Sequence, residues 1–314
     1  MTGRAPLPPR SPNTQPEPVS ATKKNESVQT RDEAEQLWQN QFWQAFPLVR
    51  VVALLIGGAL TGTLTVELLK RYAPETVGLA APLPTRVERP CGPVSGKTAV
   101  IVVHGQSNAA NYGSIRHTAR EAVDNLDPAS GKCFAAIDPL LGSDGIGGNF
   151  ATRLGDILIQ SGRYDRVVLI PIARGSSSIS FLINEGASLV TNGIAKLKAA
   201  GLTPTHILFQ QGEQDARMAT SAEQYVAQLH QLVTRFRAAG FDAPFYLSRS
   251  TKCGGSENNM AAVRAGQLAV INDALNIRQG PDTDTIGNDG RSDGCHMNDV
   301  GTLAHAALWA TFIK

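Results

Sequence analysis

From residue 98 onward the sequence switches repeatedly between two periods, and that alternation constrains its fold more than any other feature. Residues 99–103 (AVIVV), 167–172 (VVLIPI), 206–210 (HILFQ) and, more weakly, 245–248 are short apolar runs bounded by polar residues. Such runs read as strands buried on both faces, as in parallel sheets. Residues 149–161, 187–200, 222–239, 258–276 and 300–313 instead space their apolar side chains as helices do. Strand–helix alternation predicts an α/β fold, a three-layer α/β/α sandwich around a parallel sheet. In such sheets chemistry sits just beyond the carboxyl ends of the strands.

Polar clusters occupy those strand ends. The first strand stops at Gly105-Gln106-Ser107-Asn108, where glycine permits a sharp turn and leaves Ser107 just past the strand. A serine placed there serves as a nucleophile if a base is in reach and donors await the oxyanion. Gly145-Ile146-Gly147-Gly148-Asn149 precedes a helix, so a backbone N–H could face a developing negative charge. The segment Arg174-Gly175-Ser176-Ser177-Ser178 either lines a pocket or simply turns the chain. Gln211-Gly212-Glu213-Gln214-Asp215 follows the third strand, with the Gln211 amide available to an oxyanion.

The last cluster is Asp293-Gly294-Cys295-His296. An acid three positions before a histidine can accept its Nδ1 proton, fix the tautomer and leave Nε2 free as a base. Among the six histidines this one has the best case. His230 and His305 fall in helical patterns, His206 begins a strand, His104 precedes the serine turn, and His117 has no acidic neighbour in sequence.

These clusters resemble the SGNH (GDSL-like) hydrolase superfamily, and within it the carbohydrate acetylesterases: the sialate O-acetylesterase domain and carbohydrate esterase family 6. Gly105 to Asn108 match the opening Gly-Gln-Ser-Asn block. Gly145, Gly147, Phe150 and Ala151 align with a glycine pair before Phe-Ala, Gln211 to Asp215 with Gln-Gly-Glu-x-Asp, and Asp293 and His296 with the closing Asp-x-x-His. The likeness runs from residue 98 to the end. The family often has a tryptophan shortly before Gln-Gly-Glu, where this chain reads Leu208-Phe209-Gln210. The resemblance implies Ser107 as nucleophile, His296 as base and Asp293 as its orienter. It implies an oxyanion hole from the N–H groups of Ser107 and Gly147 with the Gln211 side chain, and supporting roles for Asn108 and Glu213. The implied partner is an acetylated carbohydrate, deacetylated through an acyl-enzyme without metal or organic cofactor.

Ahead of this domain, residues 1–46 are a Pro-, Ser- and Gln-rich tail ending in a short aromatic-bearing amphipathic pattern, and the tail's composition predicts disorder. Residues 47–70 are apolar but for Arg50, Glu67, Lys70 and several threonines and approach the ~20 residues that cross a bilayer, so they are expected to be a single transmembrane anchor. Residues 71–93 read as a Pro-rich linker, and 94–314 as the esterase domain. All four cysteines, Cys91, Cys133, Cys253 and Cys295, follow the expected span and lack CxxC metal spacing. We expect two disulfides, Cys91 with Cys133 and Cys253 with Cys295, the second clamping the Asp293–His296 turn. Lysines and arginines near the span mildly favour a cytoplasmic domain; the cysteines favour an oxidising, extracytoplasmic one. A net charge of +2 gives no sign of nucleic-acid binding.

Two other functions fit the same residues: a polysaccharide O-acetyltransferase using this triad, and a non-catalytic glycan-binding module. An α/β-hydrolase is excluded, since that fold puts its serine after several strands and its acid well before its histidine.

Overall fold

The computed structural model describes residues 83–92, 96–254 and 259–314. The tail and the anchor expected at 47–70 lie outside the described residues, as does most of the linker. Among the described residues no helix is long and apolar enough to cross a membrane.

The chain forms β1 (Glu88–Arg89), β2 (Thr98–Gly105), β3 (Val123–Leu126), β4 (Cys133–Ala135), α1 (Phe150–Gln160) and β5 (Arg166–Pro171). There follow α2 (Ile179–Ile183), α3 (Ala187–Ala199), β6 (His206–Gln210), α4 (Glu213–Arg217), α5 (Ala222–Ala238) and β7 (Phe245–Arg249). The fold closes with α6 (Met260–Ala269), β8 (Ile277–Asp282) and α7 (Asp299–Ala310). One sheet orders these strands β1-β4-β3-β5-β2-β6-β7-β8. The six strands from β3 to β8 in that order run parallel, while β4 and β1 add an antiparallel edge. The sheet is therefore mostly parallel rather than wholly so.

Alternation along each strand divides the core in two, because successive side chains leave opposite faces. Ala99, Ile101 and Val103 of β2 join Val167 and Leu169 of β5 beneath α1 and α7, where Phe150, Leu154, Leu158 and Trp309 pack. Val100, Val102, Val168 and Ile170 face the other way, against Leu197, Leu229, Leu232 and Phe236. Every residue of β2 is buried, as a central strand covered on both sides requires.

Strand order also fixes where a site can form. The central run β5-β2-β6-β7-β8 has the flavodoxin-like arrangement, with the first crossover from β2 going one way and the next strand, β6, lying on the other side. The crevice at such a switch point opens at the carboxyl end of the middle strand, here at Gly105 and Ser107. Glycine is obligatory at 105: its φ is +137°, and a Cβ there would lie 2.0 Å from the Gln210 carbonyl oxygen of β6.

Three differences from the sequence reading stand out. The helix expected over 258–276 ends at Ala269, and Ile277–Asp282 is an eighth strand. Residues 88–91, read as linker, are tied to the domain: β1 pairs with β4, and Cys91 is bonded to Cys133. Strand β3 carries two buried polar residues, Asp124 and Asn125; Arg89 and Arg166 pair with the carboxylate, and the Asn125 amide meets the backbone of Leu141 in both directions.

Candidate active site

Ser107 begins a short 3₁₀ turn, Ser107–Ala109, at the end of β2. Across the crevice, His296 and Asp293 lie on the loop entering α7, and all three line one cleft of about 230 Å³. Within the loop the contacts are local and short. The His296 ring donates from Nδ1 to Asp293 Oδ2 at 2.7 Å, while the backbone N–H groups of Cys295 and His296 donate to Oδ1 at 2.9 and 2.7 Å. Burial alone would raise the Asp293 pKa, but the hydrogen bonds from His296 and Cys295 outweigh it and hold the carboxyl below its usual range. With Nδ1 given to Asp293, Nε2 is the ring atom left to exchange a proton.

Both expected disulfides are present, and Cys253–Cys295 forms part of the cleft wall. The Cys295 carbonyl accepts from Asn108 Nδ2 at 3.3 Å and from the guanidinium of Arg291. Cys295, between Asp293 and His296, is thus held by a covalent bond and by Asn108 of the Ser107 turn.

Gly147 and Gln211 are not brought to the cleft. The Gly147 N–H donates to the Asn111 carbonyl at 2.8 Å, and its neighbour Gly148 pairs with Gly113. The first turn of α1 is capped from within, Asn149 Oδ1 accepting from Ala151 N–H at 3.0 Å, and the Asn149 N–H donates to Asp138 Oδ2 at 2.9 Å. Gln211 has no exposed surface. Its Nε2 is spent on the Ser177 carbonyl at 3.1 Å, on Gln106 Oε1 at 3.3 Å and on Asp215, and its Oε1 accepts from the Tyr225 hydroxyl at 3.0 Å.

Two other residues with donors line the cleft. Ser176 lines the cleft with φ +55°, and its N–H has no hydrogen-bond acceptor among the described residues. It is set between Gly175, whose N–H is bound by Asp144, and Ser177, whose carbonyl is bound by Gln211. Gln106 also lines the cleft. Its Oε1 accepts from Gly212 N–H, Gln214 N–H and Gln211 Nε2 at 3.3, 3.1 and 3.3 Å. Three donors around one atom fix the amide orientation and leave Nε2 as the end facing the cleft. The RGSSS run in the sequence had marked the Ser176 loop as a pocket-lining candidate; nothing in the sequence marked Gln106 apart from its neighbour.

Residues 97–310 match the model of the carbohydrate esterase family of sialic acid-specific acetylesterases. The chain belongs to this family. Among solved structures it is similar to a protein of Arabidopsis thaliana, at 16% identity over 69% of this chain and 98% of that one, with a TM-score of 0.57. NanS is similar at 15% identity over 69% and 96% of the two chains, with a TM-score of 0.48. A carbohydrate acetylesterase of Xanthomonas citri is similar at 18% identity over 68% and 55%, with a TM-score of 0.44. No curated protein sequence matches the chain. At these identities the first structure supports the shared fold alone.

In this family member Gln211, Gly212, Glu213 and Asp215 of the Gln-Gly-Glu-x-Asp segment are buried, while Glu213 and Gln214 also line the cleft. Glu213 Oε1 accepts from Asn108 Nδ2 and Ser250 Oγ, each at 2.8 Å, while Oε2 has no partner among the described residues. Burial pushes the Glu213 carboxyl above its usual range. Asp215, also raised by burial, accepts from Ile179 N–H and Thr220 Oγ1, each at 2.8 Å. It thereby anchors the start of α2 beneath the Ser176 loop. His104 and His305 are fully buried, which lowers their pKa values to about 4 and about 3, and neither lines the cleft.

Proposed function

We propose that the chain is a serine carbohydrate O-acetylesterase in which Ser107, His296 and Asp293 form the triad. The observation carrying this reading is that a strand-end serine and an aspartate-bonded histidine, 189 positions apart, line one cleft at the switch point of the sheet. Ser107 Oγ attacks the acetyl carbonyl carbon and its proton passes to His296 Nε2. The negative oxygen is met by the N–H groups of Ser107 and Ser176 and by Gln106 Nε2. Collapse expels the sugar oxygen, which takes the proton from His296 and leaves an acetyl ester on Ser107. Water, deprotonated by His296, then attacks that ester, and acetate departs as Ser107 Oγ takes the proton back from His296.

The substrate is an acetylated glycan, and we propose that the enzyme works outside the cytoplasm, tethered by the apolar segment at 47–70. Two disulfides in the domain support an oxidising compartment. Acetate release from acetylated glycans, with and without Ser107→Ala, tests the reaction. The variant loses at least ~10³-fold in kcat. Retained turnover would reject Ser107 as nucleophile, and acetyl transfer to a glycan hydroxyl in preference to water would make the protein a transferase.

A further inference from the structure

Asp293 holds His296 by one edge only. An in-plane hydrogen bond at Nδ1 leaves an imidazole free to rock about the bond axis, and the His296 side chain is 26% exposed. Its rocking is opposed from the side. The Tyr112 ring lies against the imidazole with centroids 5.3 Å apart and planes 22° from parallel.

Tyr112 is in turn pinned. Its hydroxyl donates to Asp144 Oδ2 at 3.1 Å, and Asp144 Oδ1 accepts the Gly175 N–H at 2.8 Å. The Arg174 guanidinium lies 3.6 Å from the same carboxylate, and the Asp144 carbonyl accepts the Asn111 N–H at 3.0 Å. Gly175 makes room for this arrangement, since a Cβ there would lie 2.4 Å from the Tyr112 hydroxyl oxygen. One carboxylate therefore joins the ring that braces His296 to the loop that presents Ser176.

We propose that Tyr112 is a positioning residue that fixes the plane of His296 and, through Asp144, locks the base to the Ser176 loop. The proposal rests on the esterase reading above. A flat aromatic face does two things for this base. It blocks rotation out of the plane that aims Nε2 at Ser107, and its quadrupole favours the imidazolium formed when the ring takes the proton. Misplacing a catalytic group by about 1 Å costs up to about 10²-fold in rate, so the brace acts on kcat rather than on substrate binding.

The test compares Tyr112→Leu, Tyr112→Gln and Tyr112→Phe with the wild-type full chain, using 4-nitrophenyl acetate turnover, fluorophosphonate labelling of Ser107, thermal midpoint and NMR of the His296 ring protons. Leucine and glutamine remove the aromatic face, and glutamine keeps a polar end for Asp144 should leucine destabilise the site. Both lose about 10- to 100-fold in kcat at little-changed KM, with a parallel loss in labelling rate. Phenylalanine keeps the face and rescues most of the activity, and its shortfall from wild type measures the hydroxyl's tie to Asp144. The His296 ring protons, shifted upfield by the stacked ring in wild type and Tyr112→Phe, move downfield in the other two. Wild-type kcat in Tyr112→Leu or Tyr112→Gln, or unmoved His296 resonances, overturns the proposal. Failure of fluorophosphonate to label wild-type Ser107 overturns the serine mechanism instead, so the two ideas fail separately.

Discussion

The two disulfides close loops of the same length, with a sequence separation of 42 in each, yet they do different things. In the chain-entropy picture each restrains the unfolded chain by the same amount, about 4 kcal/mol at 25 °C. Cys91–Cys133 ties β1 and β4 together at the antiparallel edge, separated from β2 by β3 and β5. Cys253–Cys295 forms part of the cleft wall, and Cys295 sits between Asp293 and His296. Loop length alone makes the bonds equivalent; the native contacts around each sulfur separate them. A crosslink's effect on function is thus decided by what it positions.

That contrast is measured against the machinery itself, whose removal sets the largest expected effects. Ser107→Ala gives the floor, at least ~10³-fold below wild type. Gln106→Glu comes next and separates two uses of one side chain. Glutamate still offers an oxygen to Gly212 N–H, Gln214 N–H and Gln211 Nε2, but it puts a second oxygen where an amide donor faced the cleft. If Gln106 donates to the oxyanion, kcat falls about 10²- to 10³-fold while the thermal midpoint moves little. Wild-type kcat in Gln106→Glu would reduce Gln106 to a structural brace and leave the oxyanion to the Ser107 and Ser176 N–H groups.

The paired replacement of Cys253 and Cys295 by serine falls between these and a silent change. The Asp293–His296 bond survives, since it is made within four residues, and so does the Arg291 grip on the Cys295 carbonyl. What is lost is the tether from the β7 side. We expect kcat to fall on the order of tenfold as the base wanders, together with a drop in thermal midpoint of about 8–16 °C. Unchanged kcat at lowered stability would make this bond no different from its twin.

How much of this was legible in the sequence follows the range of the interactions. Strand β2 and the Ser107 turn are readable because an unbroken apolar run ending in glycine has few other structures open to it. The contact between Asp293 and His296 is readable because it spans three residues. Strand β8 (IRQGPD) is not, since Gly280 and Pro281 interrupt it and Arg278 and Gln279 are exposed. Strand β3 is hidden because Asp124 and Asn125 are buried only by virtue of Arg89, Arg166 and Leu141, distant partners that no local pattern names. The donors proposed for the oxyanion are the hardest. Gly147 and Ser176 both lie in loops rich in small residues. Which one keeps its N–H free depends on Asn111, whose carbonyl takes one of them. A motif gives the residue type, and the availability of a donor is a tertiary property.

The smallest effect on activity belongs to the edge disulfide, and it is the sharpest test of the comparison. Replacing Cys91 and Cys133 by serine removes the same loop constraint, so the thermal midpoint again drops by about 8–16 °C at most. The edge keeps other ties. Glu88 and Arg89 pair with Phe134 and Cys133 along the strands, and Arg89 reaches Asp124 at 3.2 Å. Arg86 donates to the Ile137 carbonyl at 3.0 Å and also meets Pro139. These contacts make the loss a local loosening, readable as faster amide exchange and proteolysis at residues 83–92. They lie at the sheet edge, separated from β2 by β3 and β5, so kcat and KM stay at wild-type values below the new midpoint. A kcat loss matching that of the Cys253 and Cys295 pair would show that both bonds act through global stability, and position at the cleft would then explain nothing.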